Sequence, residues 1–100
     1  MVKKQVIWTE TSIKELEIIL QFYIQKNKNI NFSSWLLGEI EKRIEIISIY
    51  PKIGRETDFS VLRILPFNNY GIIYKETDEN IFIESIWDFR QNPMKRLDKK

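Results

Sequence analysis

The chain contains no cysteine and no histidine. The first absence excludes a disulfide framework, thiolate chemistry and a thiolate-bound metal. The second removes the commonest general acid–base and the commonest metal ligand together. Glycine is scarce, and Gly38, Gly54 and Gly71 are too scattered to form a phosphate-cradling loop. No carboxylate cluster has metal-site spacing; Glu76, Asp78 and Glu79 read as a solvated hairpin tip. Neither a metal nor any other cofactor is expected. No apolar run approaches the roughly 18 residues of a membrane span. The start MVKKQVIWTE lacks the long apolar core of a signal peptide, so the cytoplasm is the expected setting.

What remains is a chain of 100 residues, enough for one domain. A domain of this size buries roughly two thirds of its unfolded surface. Isoleucine dominates the aliphatic content at the expense of alanine and valine. The net charge is only +2, but it is unevenly placed. From residue 90 onward five cations (Arg90, Lys95, Arg96, Lys99 and Lys100) stand against Asp98. Residues 1–95 read as the domain and 96–100 as a basic tail. A basic end on a mildly acidic body suits a nucleic acid or an acidic partner.

Lys4–Trp8 reads as a first strand. Ser12 and Glu15 have the spacing of a capping box. Ile13, Leu16, Ile19, Leu20, Tyr23 and Ile24 then make one helical face, widened by Ile18 and Phe22. The polar stretch Gln25–Asn29 ends that helix. Ser33 or Ser34 can cap a second, with Leu36, Leu37, Ile40, Ile44 and Ile47 at helical spacing. Tyr50-Pro51 stops it, because proline biases its predecessor away from helix.

Gly54–Asp58 reads as a loop, followed by strand-like runs Val61–Leu65, Tyr70–Glu76 and Ile81–Phe89. Pro66-Phe67-Asn68-Asn69 and Thr77–Asn80 carry turn chemistry. The order β-α-α-β-β-β predicts an α+β fold, a helix hairpin packed on an antiparallel sheet. In the last strand simple alternation puts Ile81, Ile83, Ser85, Trp87 and Phe89 on one face. Phe82, Glu84, Ile86, Asp88 and Arg90 take the other.

Candidate functional groups are few. Arg55, Arg63 and Arg90 lie in or beside the sheet, where a guanidinium can hold a phosphate or carboxylate of a partner. The internal alternative for Arg63 and Arg90 is pairing with Glu84 or Asp88. Gln91, Lys95 and Arg96 extend the basic end. Tyr70 and Tyr74, at an ordinary pKa of about 10, are poor general bases near neutrality. On the residues alone, a binding module or inhibitor is favoured over an enzyme.

The order of landmarks resembles toxins of the RelE/ParE superfamily of bacterial type II toxin–antitoxin systems, which include plasmid stabilisation proteins. Its carriers are VIWTETSIKELEIILQFY, YPKIGR at 50–55, VLRIL at 61–65, YGIIY at 70–74 and IESIWDFRQNP, spanning Val6 to Lys95. The resemblance implies a helix hairpin on an antiparallel sheet and a small antitoxin partner, with Phe22, Trp87 and Phe89 as candidate antitoxin-binding residues. RelE-like members cut messenger RNA on the ribosome; ParE-like members poison DNA gyrase. The RNA cutters place an arginine in the strand that matches YGIIY, where this chain has Gly71. They also place a tyrosine or histidine after the last strand, where this chain has Arg96. Arg90 matches their final-strand arginine. These departures favour ParE-like inhibition, probed first against gyrase. The alternatives are a ribosome-dependent endoribonuclease and a non-toxic binding module of the same fold.

Overall fold

Isoleucines from both helices and the sheet share one interior. The computed structural model describes residues 3–27, 30–59 and 61–90. Strand β1 (Gln5–Trp8) leads into helix α1 (Glu10–Asn27) and its partner α2 (Asn31–Ile49). Four strands follow: β2 (Arg55–Glu56), β3 (Leu62–Phe67), β4 (Tyr70–Glu76) and β5 (Asn80–Asp88). They join β1 in one sheet of order β1-β5-β4-β3-β2. The meander from β2 to β5 is antiparallel, as the turns predict. β1 instead runs parallel to β5, so the sheet is mixed. The helix hairpin and strands β2 to β4 together make the long connection that a parallel neighbour requires.

The helices bury most of the rows their spacing predicts, but Ile13, Ile18 and Phe22 of the expected α1 face stay exposed. Ile19 and Tyr23 of α1 and Leu36, Ile40, Ile44 and Ile47 of α2 meet Ile72, Tyr74, Ile81, Ile83 and Ile86 of the sheet. Full burial of one such side chain contributes about 2 kcal/mol. A smaller apolar cluster covers the outer face of the sheet, where Ile64 and Ile73 meet Leu62, Trp87 and Phe89.

Several local expectations are corrected. Thr9, not Ser12, caps α1: its hydroxyl accepts the Ser12 N–H at 3.1 Å. Glu15 is thereby free of the helix end and reaches the sheet. α2 starts at Asn31 with Ile30 at its cap, and no side chain caps it. Ser33 is buried and donates instead to the Leu20 carbonyl of α1 at 2.9 Å, stitching the hairpin. Arg55 and Glu56, read as loop, pair with Ile64 and Arg63 as a short edge strand. β3 continues through Pro66, which an outer strand tolerates beyond its pairing with β2. Asn68 makes the following turn with φ 51°, in the left-handed region that asparagine enters readily.

The simple alternation in β5 also fails. Tyr74 pairs with Ile83 while Ile73 pairs with Ser85, so Glu84 is an extra residue, a bulge. The bulge resets the faces. Ile81, Ile83, Ile86 and Asp88 are buried toward the helices. Trp87 and Phe89 pack on the outer face.

Candidate functional site

Arg90 sits just past the end of β5, its side chain 45% exposed. Its guanidinium is held from below. Nε lies 3.3 Å from Oδ1 of Asp88, a carboxylate only 3% exposed. Nη2 donates to the Tyr70 hydroxyl at 2.7 Å and to the Tyr23 hydroxyl. The same guanidinium carbon lies 5.3 Å from the centres of both tyrosine rings, a range in which the ring faces attract a cation. Arg90 thus pairs with Asp88, one of its two expected partners, and fastens the end of β5 to α1. Burial, reinforced by the Asp88 charge, pushes Tyr70 up to about 12. Its phenol stays protonated near neutrality.

Arg63 lies at the opposite end of β4, next to Tyr74 rather than Tyr70. Those tyrosines stand four positions apart along the strand, about 13 Å. Its expected partners Glu84 and Asp88 lie beyond β4, out of its row. Arg63 instead donates to the Gly54 carbonyl at 2.6 Å and pairs loosely with Glu56 at 3.7 Å. The Tyr74 hydroxyl completes this knot, accepting the Gly54 N–H at 2.8 Å and donating to the Pro51 carbonyl at 2.6 Å. Burial raises the Tyr74 phenol, opposed by the Gly54 N–H and the Arg63 charge. Gly54 is required here: a Cβ would stand 2.6 Å from the Tyr74 oxygen.

The arginines therefore do not converge. Arg55 is exposed, and its register with Ile64 puts it on the outer face, away from Arg63. Gln91, Lys95 and Arg96 lie outside the described residues. Phe22 is 41% exposed on α1, edge-on to Tyr23 at 5.0 Å. Trp87 and Phe89 are half-buried on the other face of the sheet. At Gly71 the outer face is filled: a Cβ would meet Ile64 at 2.8 Å and Phe89 at 3.1 Å.

A groove of about 880 Å³ runs between β1 and the hairpin. Its walls include Val6, Trp8, Ile13, Leu16, Leu20 and Leu37, with Glu17, Glu41 and Glu45 on the helical side and Lys3 and Lys4 on the strand side. Residue spacing could not find this groove, because β1 and α2 meet only in the fold. Nor could it find Tyr23 as a partner of Arg90, since 67 residues separate them. Among the described residues no group of histidine, cysteine, aspartate or glutamate could hold a metal ion, and no helix is long and apolar enough to cross a membrane.

The profile of the family described as "ParE toxin of type II toxin-antitoxin system, parDE" matches residues 6–93. A solved structure titled "Chromosomal ParDE TA system from P. aeruginosa" superposes with a TM-score of 0.74. It is 14% identical, and the alignment covers 86% of this chain and 96% of that one, a likeness of fold. No curated protein sequence matches the chain. The chain belongs to the ParE toxin family of type II toxin–antitoxin systems.

Proposed function

We propose that this ParE-family toxin inhibits DNA gyrase in the cytoplasm by binding it, without cutting RNA, and that a cognate antitoxin neutralises it. The observation that carries the reading is the state of the sheet where RNA-cutting relatives keep their strand arginine. Here that position is Gly71, and Ile64 and Phe89 fill the space above it. Arg90 is already engaged by Asp88, Tyr23 and Tyr70. Tyr70, raised to about 12, stays protonated near neutral pH and so offers no phenolate to take a proton from a ribose hydroxyl.

The antitoxin's place in this reading is the groove beside β1. An amphipathic helix lays apolar anchors into such a groove. Its basic residues would face Glu17, Glu41 and Glu45, while Phe22 would meet a segment continuing past α1.

Purified toxin is expected to block gyrase supercoiling or trap its cleavage complex at micromolar concentration. The product of the adjoining reading frame should restore growth when expressed with it. Unchanged gyrase activity, together with cuts at ribosomal A-site codons in primer extension, would replace this reading with the endoribonuclease one.

A further inference from the structure

Between Glu17 and Glu39 the sequence carries no acidic residue, and this stretch forms the end of the hairpin where α1 passes into α2. Four aromatic rings follow one another there. Phe22 meets Tyr23 edge-on at 5.0 Å, Tyr23 meets Phe32 at 4.7 Å, and Phe32 meets Trp35 at 5.6 Å. The middle of the row belongs to the core: Tyr23 is buried and Phe32 half-buried. Its two ends do not, with Phe22 41% and Trp35 45% exposed. Single exposed apolar residues are ordinary on a surface. These two are braced by the rings between them, so little freedom is left to lose when a ligand covers them.

Cations accompany the row. The Lys26 ammonium lies 5.6 Å from the centre of the Phe22 ring. Arg90 lies 5.3 Å from the centre of the Tyr23 ring and is docked by one edge only. Its Nε and Nη2 hold Asp88, Tyr23 and Tyr70, while Nη1 has no partner among the described residues. The neighbouring carboxylates are engaged elsewhere. Asp88 is buried against Arg90, and Glu39 pairs with Lys42 at 3.1 Å and Arg43 at 2.6 Å. Glu15, about two turns before Phe22 on α1, accepts the Ile86 N–H at 3.1 Å and the Ser85 hydroxyl at 2.7 Å. Glu17 lines the groove beside β1.

We propose that this end of the hairpin binds single-stranded nucleic acid. Bases stack on Phe22 and Trp35, and Lys26 and the Nη1 donors of Arg90 meet the phosphates. Every base has a flat face, so stacking of this kind tolerates any sequence. A duplex keeps those faces inside and cannot offer them. The ammonium over Phe22 is a weak surface contact that a phosphate oxygen can replace. Carboxylates of an acidic peptide would answer the two cations but leave both rings uncovered, which decides for the nucleic acid. The site is not the sheet position where RNA cutters keep their arginine: Gly71 lies on the face away from the helices, beneath Ile64 and Phe89. Nor does the inference depend on gyrase being the target.

The test uses the full-length toxin and a fluorescent oligothymidylate of about ten nucleotides at low salt, followed by anisotropy. Binding is expected, with a duplex of the same length about tenfold weaker. Phe22→Ala and Trp35→Ala should each weaken the single strand about tenfold, and Trp35→Tyr, which keeps a ring, by less than about threefold. Lys26→Ala should flatten the dependence of log affinity on log salt by about 0.7, the share of one phosphate on a single strand. Both rings are exposed, and a melting curve of each variant separates a lost contact from a lost fold. Absence of binding overturns the proposal, as does equal affinity for the duplex. Parental affinity in both alanine variants assigns the binding to other cations of the chain and overturns the site. Displacement by polyglutamate as effective as by unlabelled oligothymidylate makes the recognition one of charge alone and overturns the stacking.

Discussion

Tyr70 and Tyr74 point to the same face of β4, four residues apart, and each ends in a knot with an arginine. At Tyr74 the knot is closed. Among the described residues, its hydroxyl and Arg63 bind backbone groups of the Pro51–Gly54 loop and the flanking Glu56. At Tyr70 the knot is half open. Asp88 is buried beneath it, but Arg90 lies nearly half in solvent above, where the basic C-terminal sequence begins. The same residue types thus make a fastening at one end of the strand and a charged rim at the other. An arginine at the end of a strand is therefore no guide to chemistry until its donors are counted.

Four experiments would break or sharpen that contrast. The largest effect belongs to the closed knot: Gly54→Ala forces a Cβ against the Tyr74 hydroxyl and should cost about 3 kcal/mol, read as a lower denaturant midpoint. Arg90→Ala leaves a buried Asp88 carboxylate without its cation and should cost about 2 kcal/mol. If that variant keeps its stability yet loses toxicity, Arg90 is a target contact and not a fastening.

Next come the tyrosines. Tyr74→Phe strands the Gly54 N–H and should cost about 1.5 kcal/mol, against less than about 1 kcal/mol for Tyr70→Phe, whose Arg90 partner can turn to water. They differ in pH response too. Tyr70 is raised in the folded state, so its contribution is complete below the ordinary phenol value near 10. It is lost as pH rises from there through about 12. Stability should fall across that window in the parent and fall less in Tyr70→Phe, followed by melting and by tyrosinate absorbance. The smallest effect is a control outside both knots. Gly38 lies inside α2 with open space at its Cβ position, so Gly38→Ala should stabilise by about 0.8 kcal/mol without touching either end.

Much of this was legible in the residues. Most of the helical rows, the proline stop at Tyr50-Pro51 and the turns at Asn68-Asn69 and Thr77–Glu79 rest on local chemistry and reappear in the fold; Pro66 and Phe67, read with the first turn, belong to β3. Glu15 was misread because a capping box and a sheet-edge cap look alike along the chain. Only the distance to Ile86, 71 residues away, separates them. The faces of β5 were misread because one extra residue, Glu84, reverses every side chain after it, and no local signal marks a bulge between two isoleucine-rich halves.

Periodicity, turn residues and the absence of histidine and cysteine were enough to determine an α+β hairpin-on-sheet domain without thiol or imidazole chemistry, and its motif order was enough to point to its family. Tertiary structure alone decided that Arg63 and Arg90 lie in separate knots and that Gly71 is walled off. It alone decided that β1 stops halfway along β5. Each depends on which strand lies beside which, and that is set by burial of the whole isoleucine core and not by any neighbour in the chain.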